Sequence, residues 1–170
     1  MKYLTKFLFL TLFLFSYCTR NTSPVTSYQE EYIYSNSFEV SEDTVGWKKY
    51  GEISFFSESC PYGGSQSLLV SGGCYSPHAY FILPPLVENS DLILRFWAKC
   101  LYGSSQVNLY LLTGSYPLYG IQISFSDTLW NQYSDTLFYQ SDFNLQLELS
   151  AGGIVPGAML VDKIEIVKMQ

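Results

Sequence analysis

Hydrophobic and polar residues alternate in short runs along most of this chain, and clusters of Gly, Pro, Ser and Asn separate the runs. A period of two places successive side chains on opposite faces of a β-strand. No segment beyond residue 30 keeps the period of a helix. The pattern predicts an all-β sandwich. Its ten predicted strands are Tyr34–Val40, Gly51–Ser57, Ser67–Ser71, His78–Leu83, Asp91–Cys100, Gln106–Leu112, Gly120–Phe125, Ser134–Tyr139, Leu145–Ser150 and Met159–Val167.

Three successive strands of this set pair an apolar face with a face of mixed polar and aromatic side chains. Aromatic rings stack on the apolar faces of sugar rings, and amide and guanidinium groups hydrogen-bond to hydroxyls. We therefore predict a ligand-binding face, which the loop residues Tyr102, Tyr116 and Tyr119 extend. The alternative is an ordinary solvated outer face. The predicted binding residues are Arg95, Trp97, Asn108, Tyr110 and Gln122.

The first 18 residues have the pattern of a secretory signal peptide. Lys2 and Lys6 precede an apolar run, and Ser16-Tyr17-Cys18 follows it. The position of Cys18 resembles the lipobox of bacterial lipoproteins, in which this cysteine is lipidated and becomes the first residue. Ordinary cleavage and secretion is the alternative. A membrane-spanning helix needs roughly 20 apolar residues, more than this run supplies. We expect an extracytoplasmic lipoprotein anchored in the cell envelope or at the cell surface.

The remaining chain divides into a short tether and one domain. Residues 19–30 are polar and rich in Ser and Thr, with Pro24 and no periodicity, which is typical of a flexible tether. Residues 31–170 are enough for one hydrophobic core.

Composition narrows the possible partners. The formal net charge is −6 and no basic stripe is present, so nucleic acid is an improbable partner. Aromatic residues make up 18% of the chain against 14% for charged residues. Tyrosine accounts for 15 of them, which suits both β-sheet surfaces and contact with polar, ring-shaped ligands.

Three cysteines follow Cys18. An oxidising compartment favours a disulfide, and we predict it between Cys60 and Cys74, which flank Gly-rich loops around one strand. Cys100 falls on the apolar face of its strand and is predicted to be a buried free thiol. No cysteine or histidine cluster has zinc spacing, since His78 is the chain's single histidine.

No catalytic motif emerges. The chain lacks Gly-x-Ser-x-Gly, a serine triad would depend on His78, and nothing selects two carboxylates for glycoside hydrolysis. We predict that the protein is not an enzyme.

Five motifs occur in order between residues 36 and 168. They are Asn36-Ser37-Phe38-Glu39 with Gly46-Trp47, Tyr62 to Val70, Asp91 to Lys99, Thr128 to Tyr133, and Leu160 to Ile166. In type and order they resemble the motifs of carbohydrate-binding modules of the kind grouped as families 4, 9 and 22. The resemblance implies a jelly-roll sandwich of the galactose-binding-like type.

The same resemblance implies a structural calcium ion. Its ligands would be Glu39, Asp162 and backbone carbonyls; the alternative is that the two carboxylates make local hydrogen bonds. For function, we expect non-catalytic binding of a carbohydrate or similar surface ligand by a tethered lipoprotein. The alternative is a structural or adhesive surface lipoprotein that binds a protein partner.

Overall fold

The computed structural model describes residues 29–72, 76–153 and 155–170. The predicted signal peptide, Cys18, Cys74 and most of the predicted tether lie outside them. Within the described ranges, no helix is long and apolar enough to cross a membrane. The elements there are β1 Glu30–Asn36, a 3-10 helix Ser41–Thr44, β2 Lys48–Tyr50, β3 Glu52–Phe56, β4 Ser67–Ser71, β5 His78–Leu83, β6 Ser90–Tyr102, β7 Ser105–Thr113, β8 Tyr116–Phe125, β9 Asn131–Tyr139, β10 Asn144–Ala151 and β11 Ala158–Met169.

Two antiparallel sheets form the sandwich. One has the order β3-β4-β11-β6-β9, and the other has the order β2-β5-β10-β7-β8. Strand β1 is the sixth strand of the first sheet: β6 pairs along one edge of β11, while β4 and β1 share its other edge. The all-β sandwich predicted from the alternation is confirmed.

The core lies between the inner faces of the two sheets. One core cluster contains Leu94 and Phe96 of β6, Leu109 and Leu111 of β7 and Leu147 of β10, and all five are fully buried. Burying a side chain of this size contributes about 1.5–3 kcal/mol. The opposite face of each sheet is left to polar and aromatic residues.

The N-terminal strand is the one placed least well by its sequence pattern. The prediction was Tyr34–Val40, whereas β1 is Glu30–Asn36. The strand ends because Phe38 takes a positive φ of 55°, and the Asn36 side-chain oxygen accepts the Phe38 N–H at 2.8 Å. An asparagine that bonds the backbone two residues later favours a turn over a strand.

Candidate functional site

The topology separates the five predicted binding residues into two groups. Arg95 and Trp97 belong to β6 in the six-stranded sheet, while Asn108, Tyr110 and Gln122 belong to β7 and β8 in the five-stranded sheet. The expectation that they share one surface is wrong. Only two residues join β6 to β7, yet they carry the chain from one sheet to the other. Alternation reveals the face of a strand but not its sheet.

Arg95 is already engaged by the first strand. Its Nη1 and Nη2 atoms donate to the Glu30 carboxylate at 3.0 and 2.6 Å. The hydrogen bond from Arg95 holds the pKa of Glu30 below its ordinary value. Trp97 lies on the same outer face and is partly buried. This pair therefore ties β6 to β1 and presents no open binding platform.

The outer face of the five-stranded sheet brings together a larger set of polar and aromatic side chains. Strand register fixes which of them are neighbours. One row across the strands is Lys48, Tyr80, Glu148, Asn108 and Gln122. The rows on either side are Tyr50, His78, Ser150, Gln106 and Ser124, and then Ile82, Gln146, Tyr110 and Gly120.

Asn108 lies beneath this surface. Its side chain is 1% exposed, and its Oδ1 atom has no hydrogen-bond partner in the described part of the chain. Such a group cannot reach a ligand in this conformation. Gln122 remains exposed and donates from Nε2 to Gln106 Oε1 at 3.0 Å. Of the two predicted amide residues, Gln122 is the one that a ligand can contact.

Tyr110 is half-buried and keeps its proton. Burial raises the pKa of the phenol, and the neighbouring charge of Glu148 raises it further. A neutral phenol both donates and accepts hydrogen bonds. Beside it, Gln146 Nε2 donates to Glu148 Oε2 at 3.1 Å.

Two aromatic contacts complete the face. The Lys48 Nζ atom lies over the Tyr80 ring, 5.8 Å from its centroid. Tyr50 stacks on His78 with centroids 5.4 Å apart and planes inclined by 19°. Sequence reasoning missed all four residues. Strand β2 was not predicted, although the alternation in His78–Leu83 does place His78 and Tyr80 on one face.

A cavity of about 280 Å³ opens on this face. It lies toward the turn that joins β7 to β8, and among the described residues that line it Lys48 is the charged one. Its other lining residues are Tyr80, Ile82, Leu112, Gly114, Ser115, Asn144 and Gln146.

The predicted calcium ligands lie against one loop, residues 59–66. The Glu39 carboxylate accepts the Ser65 N–H and hydroxyl at 2.9 and 3.0 Å, and these bonds, led by the one from the Ser65 backbone, lower its pKa. Asp162 Oδ2 accepts the Cys60 N–H at 3.0 Å. A Cβ on Gly64 would fall 2.1 Å from Glu39 Oε1. The loop backbone can approach the carboxylate this closely only because residue 64 is glycine.

These residues fit calcium in type. Two carboxylates and a run of loop carbonyls supply the oxygen ligands that calcium prefers. The described residues hold no cluster of three or more His, Cys, Asp or Glu side chains, so backbone carbonyls would have to complete the shell. Calcium at Glu39 and Asp162 stays a prediction.

The described cysteines are both buried. Cys100 is a free thiol, as predicted. Cys60 forms no disulfide within the described residues, and burial, followed by the nearby Asp162 carboxylate, raises the pKa of its thiol to about 12. Its predicted partner, Cys74, lies outside the described residues, so the disulfide stays a prediction.

Solved structures with the same architecture include carbohydrate-binding modules. The CBM22-1 xylan-binding domain of Paenibacillus barcinonensis Xyn10C is 19% identical and superposes with a TM-score of 0.62, over 82% of this chain and 96% of that domain. The family 11 module of Clostridium thermocellum, in complex with a β-1,3-1,4-mixed-linked tetrasaccharide, is 15% identical with a TM-score of 0.54, over 81% and 94% of the two chains.

The chain has the jelly-roll fold of these modules. A family 16 carbohydrate-binding module has the same fold: it is 19% identical and superposes with a TM-score of 0.56, over 72% of this chain and 91% of that one. No protein-family profile matches the chain, and neither does any curated protein. At these identities the likeness is one of fold, which confirms the jelly roll expected from the five motifs.

Proposed function

We propose that this protein is a non-catalytic carbohydrate-binding domain whose site is the outer face of the five-stranded sheet. The observation that carries the proposal is a cavity lined by Tyr80 and Gln146, with Tyr110 and Gln122 beside them in the same and neighbouring rows of the sheet. The fold supports it, since the similar modules include one named as xylan-binding and one in complex with a tetrasaccharide.

Binding follows from ordinary side-chain chemistry. Tyr80 and Tyr110 offer apolar faces to the C–H groups of a pyranose ring, and their neighbouring amides hydrogen-bond to its hydroxyls. Tyr116 and Tyr119 on β8 are exposed, but they pair with Thr113 and Leu111, so they do not share the strand face of Tyr110 and Gln122. No bond in the ligand has to be made or broken, so the site needs no nucleophile and no acid–base pair.

A glycan-array screen of the chain from Thr19 onward, without the signal peptide, tests this function. We expect selective binding by the wild type and a loss of roughly thirtyfold in affinity for Tyr110→Ala, because truncating a central aromatic anchor costs about 2 kcal/mol. Tyr32→Ala is the matched control: Tyr32 is 55% exposed and lies on β1 of the other sheet. A folded Tyr110→Ala variant that binds as well as wild type would contradict the proposed face.

A protein partner is the second candidate, favoured by the edge strand β8. Tyr116, Leu118 and Tyr119 are 77%, 53% and 46% exposed there, and an exposed strand edge with apolar side chains suits association with another protein. A folded domain that binds no glycan on the array, and a loss of partner binding in Leu118→Asp, would favour this function.

We further propose that the domain is displayed from a membrane by a lipid on Cys18. Support comes from the sequence alone: a charged start, a short apolar run and a cysteine directly after it. In a bacterial host, Cys18→Ser should move the protein from the membrane fraction to the soluble extracytoplasmic fraction, as followed by fractionation and by mass spectrometry of the mature N-terminus. Unchanged membrane association in Cys18→Ser would contradict the anchor.

A further inference from the structure

We infer that the cavity on the outer face of the five-stranded sheet receives an anionic group, so that the ligand is an acidic glycan. The inference rests on the proposed function and names the class of sugar. The shared chemistry is a negatively charged oxygen group on a pyranose ring, supplied either by the carboxylate of a uronic acid or by a sulfate ester.

The lining of the cavity carries a positive charge. Lys48 is the one charged residue among the eight that line the cavity. The protein as a whole is acidic, with 15 Asp and Glu against 9 Lys and Arg. A cavity that holds a cation and no carboxylate therefore has a local charge opposite to that of the whole molecule.

No carboxylate in the described part of the chain neutralises the charge of Lys48. Arg95, Lys99 and Lys168 each lie within 4.0 Å of a carboxylate, whereas Lys48 has no such partner in the described ranges. Its contact there is with an aromatic ring, that of Tyr80. An ammonium over a ring keeps its full positive charge and its hydrogen-bond donors.

Lys48 lies close to other hydrogen-bond donors that an anion in the cavity can contact. Antiparallel pairing with β5 sets Lys48 directly opposite Tyr80. The amides of Asn144 and Gln146 line the same cavity. Glu148 is the nearest acidic residue by register, but it lies across Tyr80 from Lys48, outside the lining. Gln146 Nε2 already donates one hydrogen to Glu148. A carboxylate or sulfate in the cavity would therefore pair with Lys48 and accept hydrogen bonds from the Asn144 amide and from the second N–H of Gln146.

Lys49 supplies a matched control. It is the next residue on β2, is exposed, and pairs with Ala79 on the opposite strand face. It does not line the cavity. Lys48→Gln and Lys49→Gln change the net charge of the protein equally, so any difference between them reports the position of the charge.

The test is a titration of wild type, Lys48→Gln, Lys49→Gln and Lys48→Arg against three sets of oligosaccharides: uronates, sulfated sugars and neutral sugars. Melting temperatures establish that each variant is folded. We expect wild type to prefer one charged set, Lys48→Gln to lose about tenfold in affinity for it, and Lys49→Gln to bind like wild type. Lys48→Arg should restore most of the binding, because it keeps the charge. Which charged set is bound identifies the anionic group.

Three outcomes would overturn the inference. Binding of neutral sugars that is unchanged in Lys48→Gln would leave the carbohydrate function standing and remove the acidic ligand. Equal losses in Lys48→Gln and Lys49→Gln would mean that net charge, not the cavity, attracts the ligand. Folded protein that binds none of the three sets would overturn the proposed function itself.

Discussion

Asn36, Phe38 and Glu39 lie close together in the sequence, and each has a separate physical task. Asn36 closes the turn that ends β1. Phe38 is fully buried and meets the Trp47 ring edge-on at 6.1 Å. Glu39 holds the loop at Ser65 and Gln66. The motif therefore joins a strand end, the core and a distant loop, which explains why these residue types occur together.

Glu39→Gln is expected to lower the melting temperature near neutral pH by roughly a few degrees, because the carboxylate accepts hydrogen bonds from the loop and is partly exposed to solvent. The folded pKa of Glu39 lies below its ordinary value of 4.5. Its stabilisation is therefore complete above pH 4.5 and is lost as the pH falls through the folded pKa. Melting curves of wild type and variant should converge at acid pH; a constant difference would contradict the role of the charge.

At the residue scale, the sequence pattern mainly failed to predict how deeply each side chain is buried. Asn108 and Tyr110 occupy equivalent phases of one strand, and alternation predicts the same face for both. Asn108 is nevertheless covered by its neighbours, while Tyr110 is half-exposed. The difference depends on the sizes of side chains on adjacent strands, and those neighbours are known only once the sheet order is known.

One face of strand β10 contributes to the hydrophobic core, and its other face contributes to the proposed binding site. Leu147 is fully buried in the core, while Gln146, the residue before it, lines the outer cavity. Leu147→Ala should reduce the free energy of unfolding by about 2–5 kcal/mol, the usual cost of removing a buried leucine side chain. Gln146→Ala should change it by less than about 0.5 kcal/mol but weaken glycan binding. Urea unfolding and titration of the two variants separate the effects. A Gln146→Ala variant as unstable as Leu147→Ala would contradict this division.

Every described strand except β2 overlaps a strand predicted from the sequence. Strands β4 and β5 begin and end at the predicted residues, Ser67–Ser71 and His78–Leu83. Strand β2 has three residues, all exposed, which is too few to display a period. That omission hid Lys48 and Tyr50, so a good part of the candidate site could not be found from sequence.

At the scale of the whole molecule, the loop of residues 59–66 links three distant parts of the chain. Glu39 follows β1, the loop joins β3 to β4, and Asp162 belongs to β11. A calcium ion held by both carboxylates would bind the folded state and not the unfolded chain. We therefore expect millimolar calcium to raise the melting temperature relative to excess chelator.

The calcium effect should be absent in Glu39→Gln and in Asp162→Asn. Magnesium is the control ion, because it requires a smaller, octahedral shell. Identical melting curves for wild type in calcium and in chelator would contradict the predicted site and leave the hydrogen bonds to the loop as the whole role of the two carboxylates.

The sheet assignment of strands is the property that the sequence could not supply at this scale. Five motifs in order were enough to indicate the jelly roll, since each lies on a core strand or on a turn with a specific backbone conformation. They did not reveal that the chain changes sheets between Tyr102 and Ser105. Arg95 and Trp97 were consequently grouped with residues that belong to the other sheet.

The pairing of β1 with β11 also decides how the domain bears mechanical load. Glu30 pairs with Met169 at the end of β11, so a pull on the chain before residue 30 reaches the sheet at its outermost hydrogen bonds. Arg95 donates two hydrogen bonds to the carboxylate of Glu30, the first residue of β1. An ion pair at the surface adds little to equilibrium stability. Placed where peeling would start, the same pair resists the first step of forced detachment.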